Sequence, residues 1–159
     1  YAALMGVPPD LMGLDVLDIG GGPVSMLLKA RGRGRGCAVA DPLLGDFPTW
    51  VHERYRAAGI EILSVRGEDL DEHRIDGFEG AGAYNVLQPV DDPARVIANA
   101  RSAARCIRIF EWVDLAPYEG HPHKLTQGDL EEWLGGPGIT VELDEQGCVG
   151  RAFFAVVPT

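Results

Sequence analysis

The chain has 159 residues, 46% of them hydrophobic and 24% charged, and a net charge of −10. At this size a single domain over residues 1–159, with a full apolar core, is expected. The negative charge argues against broad contact with nucleic-acid phosphates, and no apolar run reaches the roughly 18 residues of a membrane span.

Residues 1–14 contain Pro8-Pro9, which breaks a helix, and read as a lead-in segment. The chain opens on Tyr1 rather than Met, so a trimmed N-terminus stays open. A first strand is expected over Asp15–Ile19, running into Gly20-Gly21-Gly22 and a helix from Pro23 to Ala30. Glycine permits a sharp turn and a close ligand. Proline suits a first helical turn, whose free N–H groups can receive a carboxylate or phosphate. The spacing Gly20-x-Gly22-x-x-Ser25 loosely fits a dinucleotide fingerprint. Asp18 argues otherwise, because a carboxylate two residues before the first glycine repels a pyrophosphate and suits a ligand with a positive amine.

The run Arg31-Gly32-Arg33-Gly34-Arg35-Gly36 reads as a solvated loop, being too short for a phosphate footprint. A second strand, Cys37–Ala40, ends in Asp41. An acid there, about 20 residues past the glycines, accepts both hydroxyls of a ribose. A helix over Pro48–Ala58 would turn Trp50, Val51, Tyr55 and Ala58 inward, with Gly59 as its cap. A third strand, Ile60–Val65, leads to the acidic pair Glu68 and Asp69.

Glu72 to Gly82 is polar and rich in glycine, so the fourth strand is placed at Ala83–Leu87. Asp92 and Pro93 then supply the N-cap and first position of a helix. Its Val96, Ile97 and Ala100 face inward, and Arg95, Arg101 and Arg105 form a solvated side. The fifth strand, Cys106–Trp112, opens into a loop holding Asp114, Tyr118, Glu119, His121 and His123. His121 and His123 titrate near neutrality and suit a base or substrate contact. Their spacing alone is too weak to predict a metal site. Thr126, with Asp129 three residues on and Leu125 and Leu130 flanking, signals a capped helix that stops at Gly135-Gly136. Strands Ile139–Leu143 and Val149–Val157 close the chain as a hairpin. Cys37, Cys106 and Cys148 show no paired spacing and read as small buried residues. With no signal peptide visible, a cytoplasmic location is expected.

The stretch Val16 to Gly22 resembles motif I of the class I S-adenosylmethionine (SAM)-dependent methyltransferases, acidic-x-Gly-x-Gly, with Val24 in place of its third glycine. The exit Tyr84-Asn85-Val86-Leu87-Gln88-Pro89-Val90-Asp91-Asp92-Pro93 resembles that family's fourth-strand exit, with Pro89 where many relatives carry His. The final hairpin is similar to the end of its sheet. The resemblance implies a Rossmann-like three-layer αβα sandwich. Its seven-stranded, mostly parallel sheet runs in the order 3-2-1-4-5-7-6 and has an antiparallel last strand. It also implies SAM as cofactor, S-adenosylhomocysteine (SAH) as product, and a cofactor site of Asp18, Gly20, Gly21, Gly22, Asp41, Asn85 and Val86. Glu68 or Asp69, with Asp69 preferred, would take the adenine amino group. His121 or His123 would serve as base, with Asp114 or Glu111 behind it. The acceptor, which an open pocket allows to be bulky, and a homo-oligomeric state stay open. Two alternatives are carried: a nicotinamide-dependent oxidoreductase, and a non-catalytic module of the same fold.

Overall fold

The computed structural model describes residues 13–30, 34–145 and 148–159. The Pro8-Pro9 segment, Arg31 to Arg33 of the Arg-Gly run, and Gln146-Gly147 of the last turn lie outside the described residues.

The strands are β1 (Val16–Ile19), β2 (Ala38–Ala40), β3 (Glu61–Leu63), β4 (Gly80–Tyr84), β5 (Cys106–Val113), β6 (Ile139–Glu145) and β7 (Cys148–Pro158). They form one sheet in the order β3-β2-β1-β4-β5-β7-β6, as expected. The inner pairs are parallel, with Leu17 beside Ala38 on one side and Ala81 on the other. β7 runs antiparallel to both β5 and β6. All four residues of β1 are buried, as a central parallel strand covered on both faces requires.

Alternation along the strands sends side chains to two cores. Leu17 and Ile19 face α2 (Pro93–Ala103) and α3 (Gln127–Leu134), where Val96, Ile97, Leu130 and Leu134 complete one layer. Val16 and Val39 face α1 (Thr49–Ala57), packing on Val51 and Tyr55. Two helix starts follow the sequence closely. Asp92 accepts from Arg95 N at 3.0 Å ahead of Pro93. Thr126 and Asp129 form a reciprocal capping box, with Leu125 and Leu130 buried around it. Gly135 ends that helix in the left-handed region, φ 67°.

Several expectations are corrected. The helix expected over 23–30 is two single 3-10 turns, Gly22–Val24 and Met26–Leu28. Ser25 between them is extended, and its Oγ caps Leu27 N at 3.0 Å, so the side chain interrupts the backbone ladder. No helix N-terminus therefore stands ready for an anion here. The fourth strand lies three residues earlier than Ala83–Leu87. Asn85 turns to φ 56°, which ends the strand, and Gly82 has no Cβ to block the Tyr84 ring that folds over it. The third strand is the shorter Glu61–Leu63. Trp50 is not on the inward face: it is 52% exposed, with the Arg54 guanidinium 6.0 Å from its ring centroid. Arg95 pairs with Asp71 and Glu72, and Arg101 donates to the Leu134 carbonyl, so neither is simply solvated. Cys37 is buried, as expected, Cys106 is partly so, and the side chain of Cys148 lies outside the described residues.

Candidate functional site

The glycine corner after β1 is built by close contacts. Gly20 sits at φ 70°, and a Cβ there would come within 2.8 Å of Val86 Cβ. A Cβ on Gly21 would meet Asp18 Oδ2 at 2.8 Å. Gly22, at φ 55°, donates its N–H to Asp41 Oδ2 at 3.0 Å. The Tyr55 hydroxyl of α1 donates to the Gly22 carbonyl at 2.6 Å and accepts from Ser25 N at 3.0 Å. Tyr55, read from the sequence as core alone, thus staples the turn from below.

Asp18 is buried and accepts a hydrogen bond from Ser25 Oγ. Burial pushes its carboxyl up to about 6; the Ser25 and Met26 hydrogen bonds pull the other way, and Asp41 nearby adds to the rise. Asp41, also buried, accepts from Leu43 N at 2.9 Å through its second oxygen.

The opposite corner follows β4. Glu111, fully buried on β5, accepts from Val86 N at 3.0 Å, Leu87 N at 2.7 Å and Trp112 N at 3.0 Å. Those N–H groups leave the strand ladder because Asn85 turns away. Burial raises the Glu111 carboxyl to about 7 despite these bonds. A glutamate inside the apolar run Ile109-Phe110-Glu111-Trp112-Val113 was the sequence signal for this role.

Two adjoining cavities meet at Gly20. The larger, about 390 Å³, has apolar walls from Ile19, Pro42, Leu43, Val86 and Val90, with Asp41 and Glu68 as its buried acids. Glu68 lines it and Asp69 does not. The smaller, about 200 Å³, is lined by Asp18, Gly20, Gly21, Val24, Met26, Tyr84, Asn85 and Phe110. Among the described residues, no basic side chain lines it. Burial, with the Asp18 carboxylate, holds the Tyr84 phenol above its ordinary range. The acidic lining therefore lies on both sides of Gly20, with Asp18 in the smaller cavity and Asp41 and Glu68, beside Arg66, in the larger, which fits a nucleoside joined to a cationic tail. A pyrophosphate at Asp18 would find a carboxylate and, among the described residues, no cation.

His121 and His123 line neither cavity. His123 Nε2 lies 2.8 Å from the Val90 carbonyl, behind the larger cavity's wall. His121 stacks on Tyr118, ring centroids 4.3 Å apart. The two carboxylates expected behind them are engaged elsewhere: Glu111 on the β4 corner and Asp114 with Arg151. Among the described residues, no three His, Cys, Asp or Glu side chains converge as a metal site. Nor is any helix there long and apolar enough to cross a membrane.

No protein-family model matches the chain, and no curated protein matches it by sequence. Solved structures do. The magnesium protoporphyrin IX methyltransferase of Synechocystis, with bound SAH, aligns at TM-score 0.72 and 16% identity, over 99% of this chain and 80% of that one. The chain has the methyltransferase fold. The 1,6-didemethyltoxoflavin-N1-methyltransferase of Burkholderia thailandensis, solved with its substrate and SAH, aligns at 0.67 and 16% identity, over 99% and 75%. The YcgJ protein of Bacillus subtilis aligns at 0.67 and 9% identity over 99% of this chain and 96% of its own. At these identities the likeness is one of fold.

Proposed function

We propose that the chain binds SAM across the two cavities and transfers its methyl group to an acceptor. The observation that carries this reading is the charge around Gly20: buried acids on both sides and, among the described residues, no cation in the smaller cavity. In this reading Asp18 faces the cofactor's ammonium group and Asp41 takes the ribose hydroxyls. Glu68 takes the adenine amino group, in preference to Asp69. Asn85 and Val86 flank the segment between. The neighbours solved with SAM or SAH support the choice of cofactor. The nicotinamide alternative loses ground because its pyrophosphate would face Asp18.

When bound, SAM supplies a methyl group activated by its sulfonium. The chain's share is position. Gly20, Gly21 and Gly22 let the backbone approach, Tyr55 and Ser25 fix the turn, and Glu111 fixes the corner that carries Val86. A base is required only where the acceptor is protonated and weakly acidic. His121 and His123 line neither cavity, so we assign that role to one of them on their place in the loop after β5 alone. Full turnover in the double alanine variant would sink this assignment. Val24 and Leu43, both exposed, flank the cavities, and a bulky acceptor or a partner subunit fits there.

Incubation with methyl-labelled SAM and a panel of hydroxyl, amine and carbon acceptors tests the reading. Label is expected on an acceptor, with SAH released. SAM binding with no label leaving it would assign the chain to the non-catalytic alternative.

A further inference from the structure

At one end of the larger cavity, three residues from two loops form a closed ring. Arg66 Nη2 donates to Glu68 Oε1 at 3.0 Å and to Asp91 Oδ2 at 2.5 Å. The Asp91 backbone N–H donates to the same Glu68 Oε1 at 2.9 Å. From α2, the Asn99 side chain donates to the carbonyls of Gly67 and Glu68 at 3.1 and 2.7 Å, so the Glu68 backbone is fixed as well. Glu68 is 5% exposed, while the Arg66 side chain is 44% exposed. The ring ties the segment after β3 to the segment before α2, and all three residues line the cavity.

We propose that Arg66 sets the base selectivity of this cavity by holding the Glu68 carboxylate fixed and acceptor-only. The inference rests on the nucleoside reading given above. An ionised carboxylate has lone pairs and no hydrogen to give. It accepts from the exocyclic amine of adenine and repels the 6-oxo group of hypoxanthine. Both hydrogens of Arg66 Nη2 go to the two carboxylates, so that nitrogen has none to offer a 6-oxo group in compensation.

The charged groups around Glu68 are Arg66 on its own segment, Asp91 on the segment after β4, and Asp41 on another wall of the cavity; α2 contributes the neutral Asn99. Arg66 is the cation among them. Burial alone would raise the Glu68 carboxyl, but the Arg66 contact and the backbone N–H groups hold it below its ordinary value. Without Arg66, a buried carboxyl beside two other acids would protonate more readily. It could then donate to a 6-oxo group, and selectivity would fall with pH.

The test measures the affinities of SAH and its inosine analogue for the wild-type chain, R66A and R66K at pH 6 and pH 8. A hydrogen bond to a charged group sets the wild-type preference for SAH at roughly 10- to 100-fold. R66A is expected to show a smaller ratio than wild type, and a smaller one at pH 6 than at pH 8. R66K keeps the charge but not the planar guanidinium, and should return the ratio part of the way to wild type. Thermal melts of the variants check that the exposed arginine is dispensable for folding. A purely structural role for Arg66 would weaken both ligands equally and leave the ratio unchanged, and that outcome overturns the proposal. So does equal binding of both ligands by the wild-type chain, although SAH binding itself would then still support the cofactor reading. If the wild-type chain binds neither ligand, the cofactor reading fails and the proposal falls with it.

Discussion

Replacing Glu111 by glutamine should change how stability depends on pH. The glutamate is fully buried, and its carboxyl is raised from 4.5 to about 7, burial being the largest cause. A carboxyl whose folded value lies above its unfolded value favours the fold when protonated. Its contribution is fully present below about pH 4.5 and is lost as pH rises through about 7. Between pH 5 and pH 8 these two values cost the wild-type chain about 2 to 3 kcal/mol. Glutamine does not titrate, so this slope disappears. Its amide does place a donor against one of the backbone N–H groups of Val86, Leu87 or Trp112, which costs about 1 to 3 kcal/mol at every pH. E111Q should therefore be clearly less stable than wild type at pH 5 and near parity at pH 8. Urea unfolding of both proteins at four pH values reads the difference directly. Other buried groups, Asp18 among them, cancel in the comparison. A stability gap that is constant from pH 5 to pH 8 would refute the argument.

The same geometry makes further predictions. Gly20→Ala forces a Cβ onto Val86 at a positive φ, so SAH binding should be lost and stability should fall by about 1 to 3 kcal/mol, seen by calorimetry and thermal melts. Tyr55→Phe leaves the buried Ser25 N–H without its acceptor and should cost about 1 to 3 kcal/mol in urea unfolding. Asp18 titrates near 6 before any ligand arrives, and a cationic ligand favours its ionised form. SAH affinity should hold above pH 7 and weaken up to tenfold per unit below about 6, while D18N should be weak and flat across the range. Thr126→Ala removes one half of the capping box and should lower stability by about 1 kcal/mol without changing SAH affinity.

Much of the fold was legible because it is written locally. Asp92-Pro93 and Thr126–Asp129 are short-range signals, and both appear as helix starts. The sheet order followed from a resemblance carried by the glycine corner and the last hairpin, features that depend on backbone geometry more than on side-chain identity. Most of what sequence reasoning misplaced depends on contacts far along the chain. The strand ends at Asn85, because the next two N–H groups find Glu111, some 24 residues on. The helix after the glycines is broken, because Ser25 serves Asp18 and Leu27 instead of the ladder. Tyr55 fits an apolar helix face equally well whether or not its hydroxyl has a task. Arg66 carries no local signal of its role, since its two acidic partners become neighbours only when the loops after β3 and β4 meet.

The cofactor assignment is tested most directly by calorimetric titration of the chain with SAM, SAH and NAD in turn. The charge arrangement around Gly20 predicts saturable binding of the first two at one site per chain, and none of NAD. Binding of NAD with no response to SAM or SAH would contradict it.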